Sequence, residues 1–176
     1  MNIRALAKLL ITASVASIAV GQSAHAFWFY QHHESAFDSN SMHVALGVAP
    51  GPNGGGLAVR CKGGQTELMY MVSGTGTTEE HVSLANETGA VKLKLRIDQG
   101  EVQTLSVISS LDEGNYVLLA QIDKGLAEQI RDAKNTIAAT VALGTKMFWE
   151  NSFAARGSTD VVGKVLALCA QDSATN

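Results

Sequence analysis

Cys61 and Cys169 are the only cysteines in this chain, and four of its five histidines, His32, His33, His43 and His81, lie beyond residue 26. Thiols and imidazoles bind metals, carry protons or form bridges, so their spacing is the first place to look for chemistry. The cysteines do not form a Cys-x-x-Cys pair, which argues against a thioredoxin-type redox centre. Neither is grouped with histidines, which argues against a thiolate zinc site. Two isolated cysteines in an exported domain point instead to a structural disulfide, Cys61 to Cys169. His32-His33-Glu34 is the one run able to chelate a divalent ion. Adjacent residues of a strand face opposite ways, so neighbouring imidazoles seldom share one metal.

Nothing else nominates a reaction. The chain has no Gly-x-Ser-x-Gly elbow to expose a nucleophile. Asp112-Glu113 are adjacent carboxylates followed by Gly114, which reads as a turn and not as a glycosidase pair. Residues 50–56, Pro-Gly-Pro-Asn-Gly-Gly-Gly, lack the Gly-Lys-Ser/Thr of a phosphate loop and run straight into a strand. Gly74-x-Gly76 lacks the third glycine of a dinucleotide fingerprint. The expectation is a protein without catalytic residues, metal or cofactor. The rival is a small metal-binding enzyme or hydrolase of the cell envelope built on His32, His33 and Glu34.

Residues 1–26 read as a secretory signal peptide. Arg4 and Lys8 precede the apolar run from Leu9 to Val20, and Ala24-His25-Ala26 is a small-x-small cleavage site. Removing it leaves 150 residues, enough for one domain with a real core. The balance of 13 basic against 16 acidic side chains then becomes 11 against 16, a net charge of −5. That disfavours nucleic acid as the partner. No later segment is long and apolar enough to be expected to span a membrane. The mature product is expected in the periplasm or secreted medium, with a single domain over 27–170 and a flexible polar tail over 171–176.

The elements needed to position the two cysteines follow from pattern. Phe27-Trp28-Phe29-Tyr30 is an aromatic strand at the new terminus, and also a candidate surface for a protein partner. Met42 to Val48, Leu57 to Cys61 and Glu67 to Val72 read as strands, the last two joined by a tight turn at 62–65. Val91 to Ile97 alternates cleanly: Val91, Leu93, Leu95 and Ile97 on one face, Lys92, Lys94 and Arg96 on the other. That basic stripe is a second candidate contact surface, or a solvated face guarding a sheet edge. A return strand over 101–108 completes a hairpin. Asp123 caps a short helix whose inner face is Leu126, Ala127, Ile130 and Ala133. Thr136 to Leu143 and Lys146 to Ala154 are strands, and a last helix carries Val161, Val162, Val165, Leu166 and Cys169 along one stripe. Asn86-Glu87-Thr88 matches a glycosylation sequon. The fold class is α+β, a mainly antiparallel sheet with a short helix and a C-terminal helix packed on it, joined by one long-range disulfide.

Taken in order, several segments resemble a known family. Ser35-Ala36-Phe37-Asp38-Ser39-Asn40 with Val44, then Leu57-x-x-Arg60-Cys61 with Thr66-Glu67-Leu68, then Leu95-Arg96-Ile97-Asp98, and finally Phe153-x-x-x-Gly157 with Cys169, are similar to the type VI secretion-associated TagO/VasI-like periplasmic proteins. The resemblance implies a β-rich fold, a terminal cysteine pair and an accessory role in a secretion apparatus. The invasion-associated locus B group is likewise exported and β-rich, and its cysteine arrangement fits this chain less well.

Overall fold

A computed structural model describes residues 27–34, 41–50 and 54–175. The leader 1–26, the Ser35 to Asn40 part of the family-like opening, residues 51–53 of the glycine-rich loop and Asn176 lie outside the described residues. In chain order the elements are β1 (Trp28–His33), β2 (Met42–Val48), β3 (Gly55–Lys62), β4 (Gln65–Val72), α1 (Glu79–Thr88), β5 (Val91–Ile97) and β6 (Gln103–Ser106). They continue with β7 (Ile108–Asp112), β8 (Asn115–Gln121), α2 (Lys124–Asp132), β9 (Thr136–Leu143), β10 (Lys146–Ala154) and α3 (Ser158–Thr175). The fold is α+β and mainly antiparallel sheet, as expected, but the strands divide into two sheets. One has the order β1-β2-β3-β4-β8-β7 and the other β10-β9-β5-β6.

Alternation assigns each strand a buried face. Leu57, Val59 and Cys61 of β3, Leu68, Tyr70 and Val72 of β4, and Tyr116 and Leu118 of β8 point inward from the larger sheet. Leu93 and Leu95 of β5, Ile137 and Val141 of β9 and Phe153 of β10 point inward from the smaller one. These side chains, with Val162, Val165 and Cys169 of α3, form one continuous core. The tight β3–β4 turn is made by Gly63 and Gly64, both in the left-handed region at φ +57° and +78°. The return strand expected over 101–108 is shared between the sheets. Its first part, β6, pairs with β5, whereas Ile108 opens β7, which pairs with β8 in the larger sheet.

The helix α1 was not apparent from periodicity, because Val82 is its one buried residue. Its ends explain it. The Thr78 hydroxyl accepts from the His81 backbone N–H while the His81 ring accepts from the Thr78 N–H, so an imidazole takes the place of the usual Glu or Gln in a capping box. Glu79 and Glu80 suit the positive end of the helix dipole, and Gly89 closes the other end at φ +59°. Asn86 then docks the helix on the edge of the larger sheet. Its amide donates to the Ser109 carbonyl at 2.9 Å and accepts from the Ser109 N–H at 2.7 Å. The sequon asparagine is therefore occupied as a strand partner.

The helix α2 starts where expected, with the Asp123 carboxylate accepting from Leu126 N–H at 2.7 Å. Ser158 and Thr159 open α3 by donating to the Arg131 carbonyl near the end of α2, each at 3.1 Å. Cys61 and Cys169 are bonded, with Cα atoms 5.5 Å apart, so α3 is stapled to β3. The helix continues through residues expected to be a flexible tail. Ser173 makes the difference: its hydroxyl bonds the Gly64 carbonyl at 3.0 Å. A Cβ at residue 64 would come within 2.9 Å of the Ser173 Cα, so glycine is needed there both for φ and for this approach. Among the described residues no helix is long and apolar enough to cross a membrane.

Candidate functional site

An apolar cleft of about 540 Å³ opens where the ends of the two sheets meet beside α1. The helix supplies Leu84 and Ala85, the preceding loop Thr75 and Thr77, and the smaller sheet Val91, Val141 and Leu143. Tyr116, Phe148 and Trp149 form an aromatic wall, and His81 of α1 adds an imidazole. Leu84, Leu143 and Phe148 are 59%, 48% and 38% exposed, so large apolar side chains stand open at the cleft. Among the described residues no Lys, Arg, Asp or Glu lines it.

The aromatic wall is built by a break in β10. Phe148 pairs with Val141 and Asn151 with Ala139, so one extra residue is inserted opposite Thr140. Trp149 sits in that bulge with φ +52°, a strained value for a non-glycine residue. In a regular strand Phe148 and Trp149 would face opposite ways; here both line the cleft. The strain is held from behind. The Tyr70 hydroxyl donates to the Trp149 carbonyl and accepts from the Asn151 amide at 2.7 Å. The Thr140 hydroxyl donates to the Phe148 carbonyl at 2.9 Å. Tyr70 is fully buried, and burial pushes its phenol up to about 12, with the Asn151 bond opposing. The Trp149 ring meets Tyr116 edge-on at 5.9 Å and Phe148 at 5.7 Å. Ser109 bonds the Tyr116 hydroxyl at 3.0 Å, which ties this wall to the β7 backbone that holds Asn86. Such a site has the chemistry to accept an uncharged apolar group, with threonine hydroxyls at one side.

Of the residues singled out from sequence only His81 lines the cleft; the aromatics over 27–30, the basic stripe and the other histidines lie elsewhere. Trp28 is buried, its indole N–H donating to the Ala154 carbonyl at 2.9 Å, and it packs so closely on Gly47 that a Cβ there would lie 2.8 Å from the ring. Tyr30 is half-buried with the Lys164 ammonium 3.6 Å above its ring. Phe27 and Phe29 are exposed on the opposite side of the strand. Lys92, Lys94 and Arg96 face away from the core, as alternation requires, but β5 is an interior strand and guards no edge. Lys92 donates to the Ser106 hydroxyl at 3.1 Å, and Lys94 and Arg96 border a shallow depression of about 160 Å³ with Glu150.

The His32-His33-Glu34 run is split by the strand. His32 stacks on buried His43 at 4.6 Å, with its Nδ1 3.7 Å from Glu34, whereas His33 points to the other face, in register with Met42. His43 lies under α3: its Nδ1 is bonded to the Tyr30 hydroxyl at 2.8 Å, and its Nε2 is 3.4 Å from Ser41 and 3.7 Å from Asp172. Burial holds its pKa below the usual value, helped by His32 and Lys164 and opposed by Asp172. Among the described residues no group of three or more His, Cys, Asp or Glu is placed to hold a metal ion.

The cleft escaped sequence reasoning because its parts are scattered over five elements and one strand bulge. The adjacent aromatics Phe148-Trp149 and the flanking pair Thr78 and Gly89 were its only local signals. No protein-family model matches this chain, and no curated protein does. Among solved structures, the invasion associated protein b from Bartonella henselae is similar at 16% identity, over 82% of this chain and 94% of that one, with a TM-score of 0.43. No functional conclusion follows from so distant a likeness.

Proposed function

We propose that the mature chain is an exported, periplasmic or secreted, binding protein that works through protein contacts and not by catalysis. The observation that carries this reading is the open apolar cleft, with its strained and buttressed Trp149 and its exposed Leu84, Leu143 and Phe148. Strain at a non-glycine residue persists only where the surroundings over-determine it, and such residues cluster at working sites. An uncharged apolar wall suits an anchoring side chain of a partner, the usual core of a protein contact. The single disulfide and the sequence of residues 1–26 support the exported location. An accessory role in a type VI secretion apparatus extends this reading through the family resemblance, and genomic neighbours encoding such an apparatus are its direct test.

A photo-crosslinking residue at Leu84 of the exported chain should trap a discrete protein adduct in intact cells. Adding Phe148→Asp should abolish it, and the same crosslinker at exposed Lys124 on α2 should trap none. No adduct at Leu84 would sink the proposal. So would a stoichiometric metal ion in the purified protein that is lost in His32→Ala/His33→Ala, which would favour the envelope enzyme instead.

A further inference from the structure

The larger sheet has a second face, and it is apolar. Pairing sets one row straight across all six strands: Phe29, Leu46, Ala58, Met69, Leu119 and Ile108. The next row runs Val48, Gly56, Met71 and Val117. None of these side chains joins the core cluster, which lies on the opposite side of the sheet. Ile108, Val48 and Phe29 are 70%, 42% and 40% exposed, Leu46, Met69, Met71 and Leu119 are half-buried, and Gly56, Ala58 and Val117 are buried beneath their neighbours.

We propose that this face is a homodimer interface, in which a second copy packs sheet on sheet about a two-fold axis running along the strands between β3 and β4. The proposal is independent of the cleft. The geometry favours a second copy because the face is complementary to itself. The strand order places β3 and β4 at the centre, so the axis lays β3 of one copy over β4 of the other, β2 over β8, and β1 over β7. On this face β3 offers Gly56, Ala58 and Arg60, and β4 offers Met71, Met69 and Glu67 at the same levels. Within each chain Met71 and Leu46 already lie over Gly56, their Cε and Cδ1 atoms 3.3 Å from where a Cβ would stand, and Ala58 is fully buried. The two-fold therefore brings the flexible thioethers of the two copies against one another along the axis.

Charge agrees. Arg60 and Glu67 face each other within one chain at 2.7 Å, both largely buried. Under the two-fold, each Arg60 also faces the Glu67 of the other copy, closing a ring of alternating charges. The flanking members of that row, Gln31, Val44 and Gln121, are uncharged. An anionic bilayer is disfavoured as occupant by the net charge of −5 left once the leader is removed.

Size bounds the contact. Strands about 4.8 Å apart and rows about 6.8 Å apart make a face on the order of 400 Å² in plan. Side-chain relief brings its accessible area toward, without exceeding, the ~800 Å² per partner of a standard interface, so the dimer should be reversible.

Sedimentation velocity of the oxidised mature chain over roughly 1–300 µM should show a concentration-dependent monomer–dimer equilibrium. Arg60→Glu and Glu67→Arg should each weaken it at least about tenfold, and an equimolar mixture of the two should restore a heterodimer, because only between copies do the reversed charges meet. Ile108→Lys, at a site exposed in the monomer, should also weaken association, with near-ultraviolet circular dichroism unchanged. A chain that stays monomeric throughout, or a mixture that recovers nothing while both variants fold, overturns the proposal. Binding to neutral phosphatidylcholine vesicles by a protein that is otherwise monomeric would assign the face to lipid, and would overturn it too.

Discussion

The Tyr70 hydroxyl stands between the Trp149 carbonyl and the Asn151 amide, and so fixes the backbone of a bulge whose ring lines the cleft. Removing that one oxygen tests whether the bulge is buttressed. Tyr70→Phe leaves a buried acceptor without its donor, which should cost about 1–3 kcal/mol in urea unfolding. It should also shift Trp149 fluorescence to the red, whereas Phe153→Leu, a core change of similar size, should lower stability with little shift. Burial raises the Tyr70 pKa from its usual 10 to about 12. Its contribution is therefore fully present below pH 10 and is lost as the pH rises towards 12. None of this was legible in the sequence. Trp149 and Phe153 share a parity and Phe148 does not, so strict alternation places Phe148 outside; one inserted residue brings it in. Bulges leave little local trace, whereas the alternation of Leu93 and Leu95 with Lys92 and Lys94 was read correctly because β5 is regular.

At the level of elements, α3 docks across β1 and β2 through polar contacts as well as apolar ones. His43 faces His32 and the Tyr30 hydroxyl on β1, Ser41 on its own side, and Asp172 and Lys164 on the helix. Its pKa is lowered in the fold, so below the ordinary histidine value the unfolded chain binds the extra proton more readily. Stability from this group is present at pH 7 and falls as the pH drops through 6.5 and below. Protection factors of the amides in the last two turns of α3, corrected for the intrinsic exchange rate at each pH, should fall between pH 7 and pH 5, and His43→Gln should flatten that dependence. The helices differ in how readable they were. The α2 helix carries both an Asp123 cap and the buried stripe Leu126, Ala127 and Ile130, so pattern and cap agreed. The α1 helix has caps but no stripe, because it is held by Val82 in the core and by Asn86 on β7 and otherwise covers the cleft. The end of α3 looked like a tail because its anchors, Asp172 and Ser173, are polar and meet partners more than a hundred residues away.

For the molecule as a whole, the disulfide is the constraint that couples early sheet to final helix. Cys61→Ser and Cys169→Ser should each cost about 4–5 kcal/mol by chain entropy, and the double variant no more than either single one. Additive losses in chemical denaturation would mean that the two sulfurs act independently. This long-range pair was legible from the signal-like residues 1–26 and the count of two cysteines, since a domain expected to be exported with two cysteines has one bridge to make. The division into two sheets was not, because the crossing at Val107 is a single residue within what reads as one continuous strand. The bridge joins residues 108 apart and turns everything from β4 to the middle of α3 into a closed covalent loop. Strands β1 and β2, and β3 up to Cys61, lie outside that loop. Tension applied at the two ends would therefore be carried across the bridge and strip only β1 to β3 and the last turns of α3, while β4 to β10 bore no load. An oxidised molecule in an optical trap would give a short extension, and addition of a reductant would release a second, much longer one.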